Sequence, residues 1–247
     1  MWFVPELPPL PDVAIALSDA LRRGLDNVLG DAFASLFLNG AVAFPRPERW
    51  RIDFDFHALL RRPLAEEELE GVESVYAELA QHSELGADLD GYFVLLDDAA
   101  RSEPPCHQLR PDLRDEAWAL HRAHVHAGRY FAICGVDPLD VVPEPTWAEL
   151  DAGLRAEMRF VASHPDAKAF GVLNAARILC SFQTRDVVLS KYQAGQWALA
   201  SLPPEWHDGL HAALRWYERE PLDDDERILA EVGAPFVAYV SRSLPLT

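Results

Sequence analysis

The chain reads as an α+β protein: a mixed β-sheet with flanking helices in the N-terminal half, followed by an all-α helical bundle. Three observations lead there. A helical stripe of apolar residues is followed by two strand-like segments, Phe33–Leu38 and Ile52–Leu60. Every periodic segment after Thr146 is helical. Between the two regimes, Asp137-Pro138 and Pro143-Glu144-Pro145 break the pattern. The boundary is therefore set there, giving an α/β domain over 1–142 and a helical bundle over 143–247.

The elements follow in order. Asp12 caps a helix whose apolar residues Val13, Leu17, Leu21, Leu25 and Val28 recur at spacings of three and four, and Gly30 ends it. The two strands come next. Pro63 and the acids Glu66, Glu67 and Glu68 open a second helix, where negative charge suits the N-terminal dipole. It carries Leu69, Val72, Val75, Tyr76 and Leu79. Tyr92–Leu96 reads as a third strand. Ser102–Pro111 is rich in Pro and aperiodic, hence a loop, and Asp112 or Asp115 starts a helix running to about Ala127.

In the second half, Thr146 and Glu149 form a capping box ahead of Trp147, Leu150, Leu154 and Met158. Phe170–Phe182 is apolar almost all round, the signature of a buried helix. Its polar residues Asn174, Arg177 and Ser181 line up as one stripe. Pro203 suits the first turn of the next helix, with Trp206, Leu210, Leu214 and Tyr217 on one face. Gly233-Ala234-Pro235 interrupts the last helix, Asp224–Ser243, where a kink is expected.

Composition narrows the function. With 49% apolar residues, the 247-residue chain can bury a core. No apolar run approaches a membrane span, and Met1–Glu6 lacks the basic and apolar regions of a signal peptide. Cys106, Cys134 and Cys180 are odd in number and widely spaced, so they read as reduced thiols of a cytoplasmic protein. A net charge of −18 repels phosphate backbones, which argues against nucleic acid as a partner and favours small cationic molecules. The chain is read as a monomer or weak homodimer.

The second strand carries the chemistry. Side chains alternate across a strand, so Ile52, Phe54, Phe56 and Ala58 share one face, and Asp53, Asp55 and His57 the other. Two neighbouring carboxylates repel, and a divalent cation relieves that; Mg²⁺ prefers carboxylate and phosphate oxygens. Upstream, the first strand runs into Asn39-Gly40-Ala41. A strand, a Gly turn and a strand bearing Asp-x-Asp outline a nucleotidyltransferase site. A solvated acidic edge strand gives the same local pattern.

Several motifs recur in one order: Val172-Leu173-Asn174-Ala175-Ala176-Arg177-Ile178-Leu179, Thr184, Ser190-Lys191, Gln196-Trp197-Ala198-Leu199 and Leu202-Pro203-Pro204-Glu205-Trp206. Through them the chain resembles the aminoglycoside adenylyltransferases that modify streptomycin and spectinomycin. The resemblance implies an N-terminal nucleotidyltransferase domain and a C-terminal helical domain, with ATP and the drug bound between them. It implies Mg²⁺ on Asp53 and Asp55, with Asp90, in Leu89-Asp90-Gly91-Tyr92, as the base for the acceptor hydroxyl. Gly40 and Ala41 then belong to the nucleotide turn. Lys191 and Arg177 are phosphate contacts, Tyr217 stacks on adenine, and Asp166 meets a substrate ammonium.

The chain also departs from that pattern. A Gly-Ser turn is usual in the family, and Gly40-Ala41 lacks the hydroxyl. The turn from Val42 to Ile52 is longer, stiffer and richer in Arg; backbone amides there, or Arg46, Arg49 and Arg51, are candidates to replace lost donors. Two alternatives to a transferase acting on aminoglycosides therefore stand: a catalytically impaired protein that binds a nucleotide or a partner, and a transferase acting on a protein hydroxyl. Lastly, His121, His124 and His126, with His107, are read as surface or interface residues, since no Glu-x-x-His accompanies them.

Overall fold

A computed structural model describes residues 7–166 and 168–245; the Met1–Glu6 start, read above as no signal peptide, lies outside them. The chain forms two compact units. The first runs to Phe44 and resumes over Ile52–Thr146, and the second comprises Pro45–Arg51 with everything from Trp147.

In the first unit, α1 (Asp12–Leu29) buries Ala14, Leu17, Leu21, Leu25 and Leu29. Pro11, not Asp12, holds its N-cap position, and Val13, expected on the buried stripe, is exposed. Strand β1 (Phe33–Leu38) is buried along its whole length, and β2 (Phe54–Leu60) begins two residues later than its sequence suggests. Helix α2 (Glu66–His82) starts with half a capping box, since the Ala65 N–H donates to Glu68 Oε2 at 2.7 Å. A short α3 (Glu84–Ala87) leads into β3 (Leu89–Leu95) and a short α4 (Leu96–Ala99). Helix α5 (Trp118–His126) starts later than Asp112 or Asp115, and Asp115 caps it from outside by accepting the Ala117 N–H at 3.1 Å. Strand β4 (Phe131–Gly135) was not apparent from the sequence.

The four strands order as β3-β2-β1-β4. β2 pairs with β3 in parallel, while β1 pairs antiparallel with both β2 and β4, so the sheet is mixed. One face, with Leu36, Leu38, Phe54, Phe56 and Phe93, packs on α1 and α2 residues such as Leu21, Leu25 and Val72. The other face, with Phe37, Leu59 and Val94, packs on Trp118 and Val125 of α5.

The second unit holds α6 (Trp147–Ser163), α7 (Lys168–Thr184), α8 (Lys191–Ser201), α9 (His207–Tyr217) and α10 (Asp225–Ser243). α7 is central, touching each of the other four, which is why its sequence is apolar almost all round. Ser190 and Gln193 close a capping box on α8, with bonds of 3.1 and 2.8 Å. Arg215 of α9 grips buried Asp225 through two bonds of 3.0 and 2.5 Å, and this holds the Asp225 carboxyl below the usual carboxylate range. α10 runs as one helix through Pro235. No described helix is long and apolar enough to cross a membrane.

Candidate active site

The alternation read from the sequence is seen in the strands. Asp55 pairs in register with Asp90 of β3, His57 with Tyr92, and Leu59 with Val94. Strands in register lie about 4.8 Å apart. Asp55 and Asp90 therefore start neighbouring strands side by side, and Asp53 stands one residue ahead of β2. Asp90 lies inside β3, and not in a turn before it. Its field reaches Tyr76, whose hydroxyl is pushed up first by burial and then by that carboxylate.

Gly40 explains how the turn meets these acids. At the end of β1 the Asn39 N–H donates to the Asp55 carbonyl at 3.1 Å. The chain then enters a short 3-10 turn, Gly40–Ala43, with Gly40 at φ +65°. A Cβ on Gly40 would stand 1.8 Å from Asp55 Oδ2. Only glycine lets the backbone lie against that carboxylate in this conformation. The acids also suit Mg²⁺: their donors are hard oxygens, two of them start adjacent strands, and the turn beside Asp55 leaves a cradle that a methyl group would fill. His57, Asp115 and His121 form a separate group whose ligand atoms all lie within 4.8 Å of one another.

The altered turn has a different partner from the one its arginines suggested. Pro45–Arg51 belongs to the second unit. Trp50 is buried there, stacked on Tyr217 at 5.1 Å and edge-on to Tyr192 at 5.3 Å. The Arg51 N–H donates to the Tyr217 carbonyl at 2.6 Å, and Arg49 pairs with Glu220 at 2.6 Å. Arg46 is partly buried, which pushes its guanidinium down.

Tyr217 is thus packed by the chain itself: Trp50 lies against its ring and Lys191 Nζ sits over it at 5.1 Å. The same ammonium lies 4.7 Å from the Phe170 ring and 3.2 Å from the Tyr217 hydroxyl. Arg177 reaches Glu157 of α6 at 3.8 Å, and Asn174 Nδ2 donates to that carboxylate at 3.1 Å. The polar stripe of α7 therefore faces an acid of the bundle. Asp166 is exposed in the turn before α7.

Of the four histidines read as surface or interface groups, His126 is exposed and His121 part-exposed, but His107 and His124 are buried. His107 is buried; its Nε2 bonds the Gly91 carbonyl at 2.9 Å and its Nδ1 accepts the Leu109 N–H at 3.0 Å. His124 packs edge-on against Phe44 at 5.2 Å, and His126 bonds the Val142 carbonyl at 2.9 Å. His121 reaches Asp115 at 2.8 Å. Helical spacing puts His121 and His124 on one strip, but the ring that meets His124 comes from Phe44, far along the chain, which sequence spacing does not reveal.

Residues 148–242 match the family described as aminoglycoside adenylyltransferase, C-terminal domain. The chain also resembles the crystal structure of spectinomycin adenyltransferase AAD(9) from Enterococcus faecialis, solved with ATP and spectinomycin. The TM-score is 0.70 at 12% identity, over 92% of this chain and 98% of that one. That likeness extends the shared fold across both units. No curated protein sequence matches the chain.

Proposed function

We propose, from the match of residues 148–242 to the C-terminal domain of aminoglycoside adenylyltransferases, that the chain transfers AMP from ATP to a hydroxyl of a polycationic, aminoglycoside-like acceptor. The observation that carries the reading is the register of Asp55 with Asp90 beside a glycine whose backbone lies against the Asp55 carboxylate. Asp53 and Asp55 would hold Mg²⁺, which supplies charge neutralisation on the triphosphate when bound. Asp90 takes the proton from the acceptor hydroxyl. The freed oxygen bonds to the α-phosphorus, and pyrophosphate leaves with the electrons of the broken P–O bond. Lys191 and Arg177 are the candidate phosphate contacts. The strongly acidic surface supports a cationic acceptor.

Calorimetric titration with ATP and Mg²⁺, then with a panel of aminoglycosides, tests the proposal, with mass spectrometry to detect an adenylylated drug. Affinity for the drug should fall as salt rises, because screening weakens attraction between exposed charges. Salt-independent affinity would remove the acidic surface from recognition. The second reading, nucleotide binding without transfer, is favoured by Ala41, which lacks the hydroxyl donor, and by the engagement of Pro45–Arg51 with Tyr217. It predicts ATP binding with no modified drug in the panel.

Lys191 gives a second test. Its ammonium lies over two aromatic rings, each contact contributing about 0.5–1 kcal/mol when exposed. Lys191→Ala should therefore weaken ATP binding and also lower stability by roughly 1 kcal/mol in chemical denaturation. Lost stability with unchanged ATP affinity would make Lys191 a packing residue only.

A further inference from the structure

One step further along the face that carries Asp53 and Asp55, the first unit holds a second polar cluster. His57 comes from β2, Asp115 from the turn ahead of α5, and His121 from α5 itself. The His57 and Asp115 side chains are each 2% exposed, and that of His121 is 28% exposed. Asp115 Oδ2 lies 3.4 Å from His57 Nε2 and 2.8 Å from His121 Nδ1, and the three ligand atoms lie within 4.8 Å of one another.

These side chains are held in place from outside the cluster. Asp115 Oδ1 accepts the Ala117 N–H at 3.1 Å. The His57 ring stacks on Phe37 at 5.1 Å and on Tyr92 at 5.8 Å. Its Nδ1 meets the Asn39 amide at 3.1 Å. Burial and two neighbouring imidazoles act on Asp115 in opposite senses; the histidines prevail, and its carboxyl is held far below the usual range.

Two observations favour a metal over a proton between His57 and Asp115. Hydrogen bonds between charged partners in dry surroundings contract to about 2.7–2.9 Å, and the gap here is 3.4 Å. Donor atoms around a tetrahedral ion with bonds of about 2.0–2.1 Å stand about 3.3–3.4 Å apart, the spacing of this pair, whereas the 2.8 Å between Asp115 and His121 is a hydrogen bond that must lengthen as the ion enters. The second observation is Asn39, which is buried and whose Oδ1 has no partner among the described residues. Neither end of the amide is pinned elsewhere, so it can turn either end to His57. With Oδ1 on the ring, His57 carries its proton on Nδ1 and its Nε2 lone pair faces the carboxylate. A metal-binding histidine has this arrangement, donating its second N–H to a fixed acceptor.

We propose that His57, Asp115 and His121 form a site for a divalent transition ion of the Zn²⁺ class, tying β2 to α5. Two imidazoles and one carboxylate suit Zn²⁺ or a first-row neighbour, and Mg²⁺ prefers oxygen alone. The partial exposure of His121 leaves a path for the ion and a fourth position for water. The site is separate from the acids assigned above to Mg²⁺, and it stands whether or not that reading holds.

Cobalt tests it with a readout independent of activity. The full chain, treated with chelator and dialysed, should bind one equivalent of Co²⁺ with the intense visible bands of tetrahedral coordination. Equimolar Zn²⁺ should abolish the bands, and millimolar Mg²⁺ should leave them unchanged. Zn²⁺ should raise the melting temperature of the chelated protein. His121→Gln, at the most exposed ligand, should weaken Co²⁺ binding by at least about 100-fold while the far-ultraviolet circular dichroism stays native. Asp53→Asn should leave the bands intact. A folded parent protein without tetrahedral bands would overturn the proposal. So would bands that survive His121→Gln, or bands that vanish in Asp53→Asn.

Discussion

Replacing Asp90 with Asn should lower turnover by about 10²–10⁴-fold and leave binding of ATP with Mg²⁺ almost unchanged. The acceptor hydroxyl must lose its proton as it bonds to phosphorus, and an amide has no basic oxygen to receive it. The register pairing sharpens the expectation. Asp90 adds negative charge beside Asp55, so its removal relieves repulsion and does not weaken metal binding. Asp53→Asn should give the opposite phenotype, loss of Mg²⁺-dependent ATP binding itself, because on the proposed reading it removes a ligand oxygen. Single-turnover rates and calorimetry on the two variants separate the roles. If Asp90→Asn turns over like the parent, the base lies elsewhere, and Glu84 and Asp88 are the next acids to exchange.

Gly40→Ala has an effect of similar size through a different cause. The new methyl would stand 1.8 Å from Asp55 Oδ2, so either the carboxylate or the turn must move by more than an ångström. A displacement of that order in a reacting site costs about 10²-fold in rate. The residue also sits at φ +65°, which costs a further 1–2 kcal/mol or so for a residue with a side chain. Gly30→Ala separates the two contributions. Gly30 has φ +50° with nothing within 4 Å of an added Cβ, so that variant carries only the backbone cost. Gly30→Ala should lose stability and keep its activity, while Gly40→Ala loses both. Equal activity in the two variants would show that the contact with Asp55 does not matter to the reaction.

Local patterns carried much of this fold, and long-range contacts carried what they missed. Phe33–Leu38 is legible as a short apolar run bounded by turn residues, and the shared face of Asp55 and His57 from the two-residue repeat of a strand. The bundle helices are legible from their stripes and caps, Ser190 with Gln193 among them. β4 escaped notice because its five residues are only partly buried and do not alternate cleanly. The burial of His107 and His124 is hidden from the sequence for a related reason. Spacing of three on α5 puts His121 and His124 on one strip, yet Asp115 takes one and Phe44 the other. The pairing of His57 with Asp115 joins a strand to a turn far along the chain, and no local period records it. The nearness of Gly40 to Asp55 is intermediate: glycine announced a turn, but not the carboxylate it lies against.

The excursion of Pro45–Arg51 into the second unit imposes an order of events on a growing polypeptide. Trp50 is synthesised early, but Tyr192 and Tyr217, the rings that bury it, come near the end. At about 5–20 residues per second the indole waits on the order of ten seconds or more without its partners. Through that interval Trp50, carried on a charged segment between two paired strands, stays open to water and to chaperones. A ribosome stalled before residue 217 would hold a nascent chain whose sheet can pair but whose bundle lacks its last apolar seat. Protease sensitivity at Arg46, Arg49 and Arg51 would time the moment the bundle closes over Trp50.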